Sequence, residues 1–132
     1  MAIETASGGV TRVVIVVWSA GPERPVQVAA PFVYALTARA LELDVEMHFT
    51  SSAVRWLLAG VADQAFTDAA KTKTVADFIR EAANAGVRLL ACSMALAEHR
   101  RGEALIAECH GQAGAATVMV AAVDPSTRTL VF

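Results

Sequence analysis

The stretch TRVVIVVWSAGPERPVQVAAPFVYALTARALELDVEMHFT, Thr11 to Thr50, decides the fold. Its first eight residues, TRVVIVVW, form an unbroken β-branched run, the pattern of a strand buried on both faces. Ser19-Ala20-Gly21-Pro22 supplies turn chemistry, and apolar residues then recur at Ala29, Phe32, Val33, Leu36, Ala40 and Leu43. Steps of three and four predict a helix over Gln27 to Leu43, with Pro31 early enough for a first turn or a slight kink. In DVEMHFT, Asp44 to Thr50, Val45, Met47 and Phe49 alternate with polar neighbours, which predicts a second strand. A strand, a helix and a strand in this order make a parallel βαβ unit.

The same alternation continues outward. Ser51 or Ser52 can cap a short helix over Ala53 to Leu58, ended by Gly60. Thr74 followed by Asp77 is a capping signature, and the helix it opens is expected to bury Val75, Phe78, Ile79 and Ala82 and to stop at Gly86. Val87 to Ala91 reads as a third strand and Ser93 to Arg100 as a helix. Residues 105–109, LIAEC, are the candidate fourth strand. Gly114 to Val123 is apolar on every side, a buried or interfacial helix, and Arg128 to Phe132 is a closing strand after Asp124-Pro125-Ser126. The expectation is one compact α/β domain over residues 11–132, a mostly parallel sheet of about five strands flanked by helices, with residues 1–10 as a polar tail. The segment 61–73 yields no reading.

Composition narrows the function. The 132 residues carry 11 Lys and Arg against 13 Asp and Glu, a net charge of −2 with no basic run, so direct nucleic-acid binding is not expected. Only 18% of residues are charged while 55% are hydrophobic, and 28 of the latter are alanine. So little charge on so small a chain predicts surface hidden in a homo-oligomer. The longest apolar stretch, Ala113 to Val123, is too short to span a bilayer, so no membrane partner is expected. MAIETASGGVTR has neither the basic flank nor the apolar core of a signal peptide. The expected location is the cytoplasm, where Cys92 and Cys109, 17 residues apart and outside any C-x-x-C, stay free thiols.

Parallel sheets bind ligands at the carboxyl ends of their strands. That edge gathers Ser19 to Gly21, His48 to Ser52 and Cys92 to Met94, so Ser19, Gly21, His48, Thr50, Ser51, Ser93 and Met94 are candidate pocket residues around Cys92. Cys92 ends a strand and precedes a helix, where backbone N–H groups stabilise a thiolate. Burial as a small packing residue is the competing reading. His48 points away from Met47 and Phe49, as a proton partner for Cys92 or a structural histidine. Cys109 beside His110 is a second thiol or a filler, and His99 among Glu98, Arg100 and Arg101 reads as a solvated helix end. No G-x-G-x-x-G, no G-x-x-x-x-G-K-[ST] and no G-x-S-x-G is present, and the three histidines lie far apart. Neither a cofactor nor a metal is expected.

The order of MHFTSSAVRWL, KTVADFIREAANAGV, the corner Ala91-Cys92-Ser93-Met94 and the ending Leu130-Val131-Phe132 resembles the DsrE/DsrF-like family. The resemblance runs from about Arg12 to Phe132 and implies a flavodoxin-like three-layer α/β fold in an oligomer. It further implies an intracellular sulfur relay, a sulfurtransferase or persulfide carrier, in which Cys92 corresponds to the cysteine that accepts sulfur. Protein donors and acceptors would then be the partners, with Met94, Met47 and Trp18 as an apolar wall and Trp18 and Trp56 as partner anchors. Cys109 has no counterpart in the family's pattern. A small-molecule-binding module lined by the cysteine, or a purely structural subunit, is the alternative.

Overall fold

The computed structural model describes residues 9–132, so residues 1–8 of the expected tail lie outside it. Five strands, β1 (Arg12–Val17), β2 (Asp44–Phe49), β3 (Arg88–Cys92), β4 (Gly111–Ala113) and β5 (Thr127–Val131), form one sheet in the order β4-β3-β2-β1-β5. Every pairing is parallel. Between them run α1 (Pro25–Ala40), a 3₁₀ helix (Ser51–Leu57), α2 (Val75–Asn84), α3 (Ser93–His99) and α4 (Ala115–Ala122).

This order gives the sheet two unlike faces. The chain steps β1 to β2 to β3 to β4 in one direction, so right-handed crossovers place the intervening helices on one face. The return from β4 to β5 crosses the whole sheet and puts α4 on the other. Val13, Ile15, Val17, Val45, Met47, Phe49, Leu89 and Ala91 point to the first face and pack there with Phe32, Trp56, Phe78 and Ile79 in one buried cluster. Phe32 lies between Phe78 and Phe49, with ring centroids 5.6 and 6.0 Å away. The second face, on which α4 packs against β5 and β1, carries the buried Val14, Leu90, Glu46 and His48.

The βαβ units and the five helical segments stand where the hydrophobic period places them, and Val75, Phe78, Ile79 and Ala82 are buried as expected. Four details differ. Helix α1 starts at Pro25, so Pro31 lies inside it and is buried, beyond the first turn. The 3₁₀ helix is preceded by Thr50, with no side-chain cap bond from Ser51 or Ser52. Residues 105–109 are not the fourth strand: Leu105 makes one antiparallel bridge to Leu58, and β4 is the short GQA that follows. Their apolar content belongs to packing, since Leu105, Ile106 and Cys109 lean on the core from a loop. Helix α4 is mostly exposed: Ala121 is its one buried residue and Val118 is half-buried.

Candidate functional site at the carboxyl edge of the sheet

The parallel register fixes which residues meet. Val17 pairs with Phe49 and Phe49 with Ala91, so Trp18, Thr50 and Cys92 follow side by side at the carboxyl edge. Two hollows open there. One, of about 410 Å³, is lined by Trp18, Ser19, Gly21, Glu23, Arg24, Ser51 and Ser52. The other, of about 520 Å³, holds Cys92 with Thr50, Ser51, Met94, Ala95, Glu98 and His99. Ser51 borders both, and its φ of 51° is a left-handed conformation that a non-glycine residue adopts at a cost.

The loop after β1 reaches this edge because Gly21 has no side chain. A Cβ there would lie 2.5 Å from the Ser52 hydroxyl oxygen. The fully buried Trp56 donates its indole N–H to the Ala20 carbonyl at 2.6 Å, and Arg55 pairs with Glu23 from the same 3₁₀ helix. That pairing holds the Glu23 carboxyl below its ordinary range, first through the Arg55 hydrogen bond.

Cys92 is a free, half-buried thiol at the N-cap of α3. Burial pushes its pKa up. The Thr50 hydroxyl and the backbone N–H groups of Ala95 and Met94 act the other way, and together they leave the thiol below its usual value. The Cys92 side chain makes no cap hydrogen bond to α3.

Ser19 and Gly21 therefore line one hollow, Thr50, Cys92 and Met94 the other, and Ser51 both. Ser93 is exposed and lines neither. His48 does point away from Met47 and Phe49, but it lies beneath the edge, 4% exposed, with Nε2 3.2 Å from the Glu46 carboxylate. The expected apolar wall does not assemble: Met47 is fully buried in the core, Trp18 belongs to the neighbouring hollow, and Met94 is a rim residue at 82% exposure. Of the two tryptophans only Trp18 is available to a partner. Cys109 sits by the beginning of β3, its Sγ 3.4 Å from the Gly111 carbonyl, while Cys92 sits at the strand's end. His110 is occupied too, its Nδ1 accepting the Leu89 N–H at 3.0 Å.

His99 is the residue that sequence reasoning set aside. Its charged neighbours suggest solvent, yet it is half-buried in the Cys92 hollow. The signal was the spacing: His99 is seven residues beyond Cys92, two helical turns along the same face. Among the described residues no three His, Cys, Asp or Glu side chains are grouped to hold a metal.

The comparison with known proteins comes down to one family. The DsrE/DsrF-like family matches over residues 12–132. This chain belongs to the DsrE/DsrF-like family. Its fold is that of two solved structures of the same kind. One is the ychN protein from E. coli, with a TM-score of 0.73, 17% identity, and coverage of 92% of this chain and 99% of that one. The other is MTH1491 from Methanobacterium thermoautotrophicum, titled a protein of unknown function, with a TM-score of 0.64, 18% identity, and coverage of 92% and 99%. No curated protein matches the sequence significantly. Among the described residues of this DsrE-like chain, no helix is long and apolar enough to cross a membrane.

Proposed function

We propose that this protein is a sulfur carrier in which Cys92 accepts a sulfur atom as a persulfide and passes it to a protein partner. Family membership supports a relay of this kind, and the observation that carries it to this residue is the setting of the thiol. Cys92 opens into a hollow with its pKa held below the usual thiol value by Thr50 and two backbone amides against the opposing effect of burial, so its thiolate is favoured over that of an ordinary cysteine.

The Cys92 thiolate attacks the outer sulfur of a donor persulfide, R–S–SH. The donor's S–S bond breaks, RS⁻ leaves and takes up a proton from water, and Cys92–S–SH forms with no net oxidation. The reverse exchange, with the thiolate of an acceptor protein as nucleophile, delivers the sulfur and restores the Cys92 thiol. The Thr50 hydroxyl and the Met94 and Ala95 amides steady the negative charge throughout. The exposed Trp18 and Met94 give a docking protein apolar anchors on either side of the edge. The relay operates in the cytoplasm, on a homo-oligomer, with no cofactor, metal or nucleic acid taking part.

The test is intact-mass spectrometry after incubation with a small persulfide donor, beside Cys92→Ser. The wild type is expected to gain one sulfur atom that reductant removes, and the variant none. A wild type that gains no sulfur and reacts slowly with alkylating agents sinks the relay. The neighbouring hollow then becomes the better reading, as a small-molecule site where Ser19, Ser51, Ser52 and Arg24 surround the end of β1. There the chain leaves β1 towards β2 while β5 lies on its other side, the reversal at which open parallel sheets bind ligands.

A further inference from the structure

We infer that His99 is the general acid and base of the Cys92 site: it gives its proton to the thiolate that leaves the donor and takes one from the acceptor thiol. This rests on the relay reading and changes only the source of the proton, which water supplies where no side chain does. Of the three histidines, two have their rings engaged, His48 through Nε2 with Glu46 and His110 through Nδ1 with the Leu89 N–H. His99 does not. It is half-buried in the Cys92 hollow, and among the described residues neither of its ring nitrogens has a hydrogen-bond partner.

The helix sets the distance. His99 closes α3 seven residues after Cys92, a rise of roughly 10 Å along one face. Helical side chains lean towards the N-terminus, so the imidazole leans back towards the thiol and shortens that span. A donor persulfide in line for attack fills about 5 Å of it, ~3 Å from thiolate to outer sulfur and ~2 Å for the S–S bond. Its inner sulfur, the atom that leaves, therefore comes to lie between Cys92 and His99. The other polar side chains of the hollow do not serve. Hydroxyls such as those of Thr50 and Ser51 keep their protons at neutral pH, and a carboxyl has ordinarily given its own up. Histidine both gives and takes one there. The imidazole also faces the opening. The Glu23 carboxyl, lowered first by its Arg55 hydrogen bond, is lowered further by the charge of His99. The two groups thus stand within range across Ser51, the residue both hollows share.

In the forward step the Cys92 thiolate attacks the outer sulfur of R–S–SH and the S–S bond breaks. The inner sulfur keeps the electron pair, takes the His99 proton and leaves as RSH, with Cys92–S–SH and a neutral imidazole behind it. In the return step that imidazole takes the proton of the acceptor thiol. The acceptor thiolate attacks the outer sulfur of Cys92–S–SH, and Cys92 departs as thiolate with His99 protonated again. One proton cycles and nothing is oxidised.

The experiment compares two probes on a parent chain with Cys109→Ser, in which Cys92 is the one thiol, with and without His99→Gln. Glutathione persulfide must release an ordinary thiolate, which a proton assists. Dithiobis(nitrobenzoate) releases an aryl thiolate of low pKa, which leaves unaided. Sulfur uptake from the persulfide, read by intact mass after timed quenching, should slow at least about tenfold in the variant. Its reaction with the aryl disulfide should keep the parent's rate, which also shows that the fold and the Cys92 thiolate are intact. Where His99→Gln folds poorly, His99→Ala gives a second measurement: free imidazole should restore part of the persulfide rate and leave the aryl disulfide rate alone. Equal slowing with both probes, or none with the persulfide, overturns the role of His99 while the relay stands. A parent chain that takes no sulfur from the persulfide, yet reacts with the aryl disulfide, overturns the relay and this inference with it.

Discussion

Cys92 is poised between burial, which opposes its thiolate, and three neighbouring donors, which favour it. Partial burial opposes the thiolate, and the Thr50 side chain is the largest influence in its favour, ahead of the Ala95 and Met94 amides. Thr50→Val keeps the shape and removes the donor, so the pKa of Cys92 rises towards the ordinary thiol value. Because the thiolate is the reactive form, iodoacetamide labelling at neutral pH should slow by a few-fold to tenfold. At alkaline pH both proteins are thiolate and the rates should converge. A pH–rate profile with the same midpoint in both proteins would remove Thr50 from the account. The sequence made this group legible because the ends of parallel strands converge whatever their side chains do, so Thr50, Ser51, Cys92 and Met94 could be named together. His48 could not be placed the same way. Alternation tells which side a residue faces but not its partner, and Glu46, two residues earlier on that side, claims the imidazole.

At the scale of the element, α2 shows what local sequence can settle. Thr74 Oγ1 accepts the Asp77 N–H at 3.1 Å, and Asp77 Oδ2 accepts the Thr74 N–H at 2.9 Å, the reciprocal box that the T-x-x-D spacing signals. Thr74→Ala should cost about 1 kcal/mol in urea unfolding at neutral pH. The Asp77 carboxyl is held below its ordinary value, first by the Thr74 N–H, then by the Thr74 hydroxyl and Arg80. A pKa lower in the folded than in the unfolded chain means that the contribution is full above the ordinary aspartate range. It is lost as pH falls through the folded value. The stability gap between wild type and Asp77→Asn should therefore close in acid, and a gap independent of pH would refute the box as its origin. Strand β4 marks the limit of such reading. Gly111-Gln112-Ala113 has no apolar alternation, and Gly111 takes a φ of 141°. A three-residue edge strand is defined by its neighbour β3, so the more apolar LIAEC drew the assignment although it packs from a loop.

At the scale of the whole molecule, the strand order divides a dry core from a face that keeps buried charge. The parallel register sets Glu46 beside Arg88 and Val14, with Arg12 one pleat below on the same face. The Glu46 side chain, 11% exposed, thereby meets Arg12, Arg88 and His48 from three adjacent strands. A carboxylate at the centre of such a group cannot be removed alone. Glu46→Leu leaves the part-buried Arg12 and the buried His48 without their shared acceptor, and should cost about 3 kcal/mol in urea unfolding. Arg88 is 57% exposed and 3.9 Å away, so Arg88→Ala should cost less than about 1 kcal/mol. Arg12 lies between the two, because it also bonds Thr127 at 3.1 Å and ties the start of β5 to β1. The double variant Arg12→Leu with Glu46→Leu should lose less than the two single losses added together, since it removes both partners of one pair. Equal costs at Glu46 and Arg88, or strict additivity at Glu46 and Arg12, would mean that the sheet stands without this group. The second face would then be held by Val14, Leu90 and Ala121 alone.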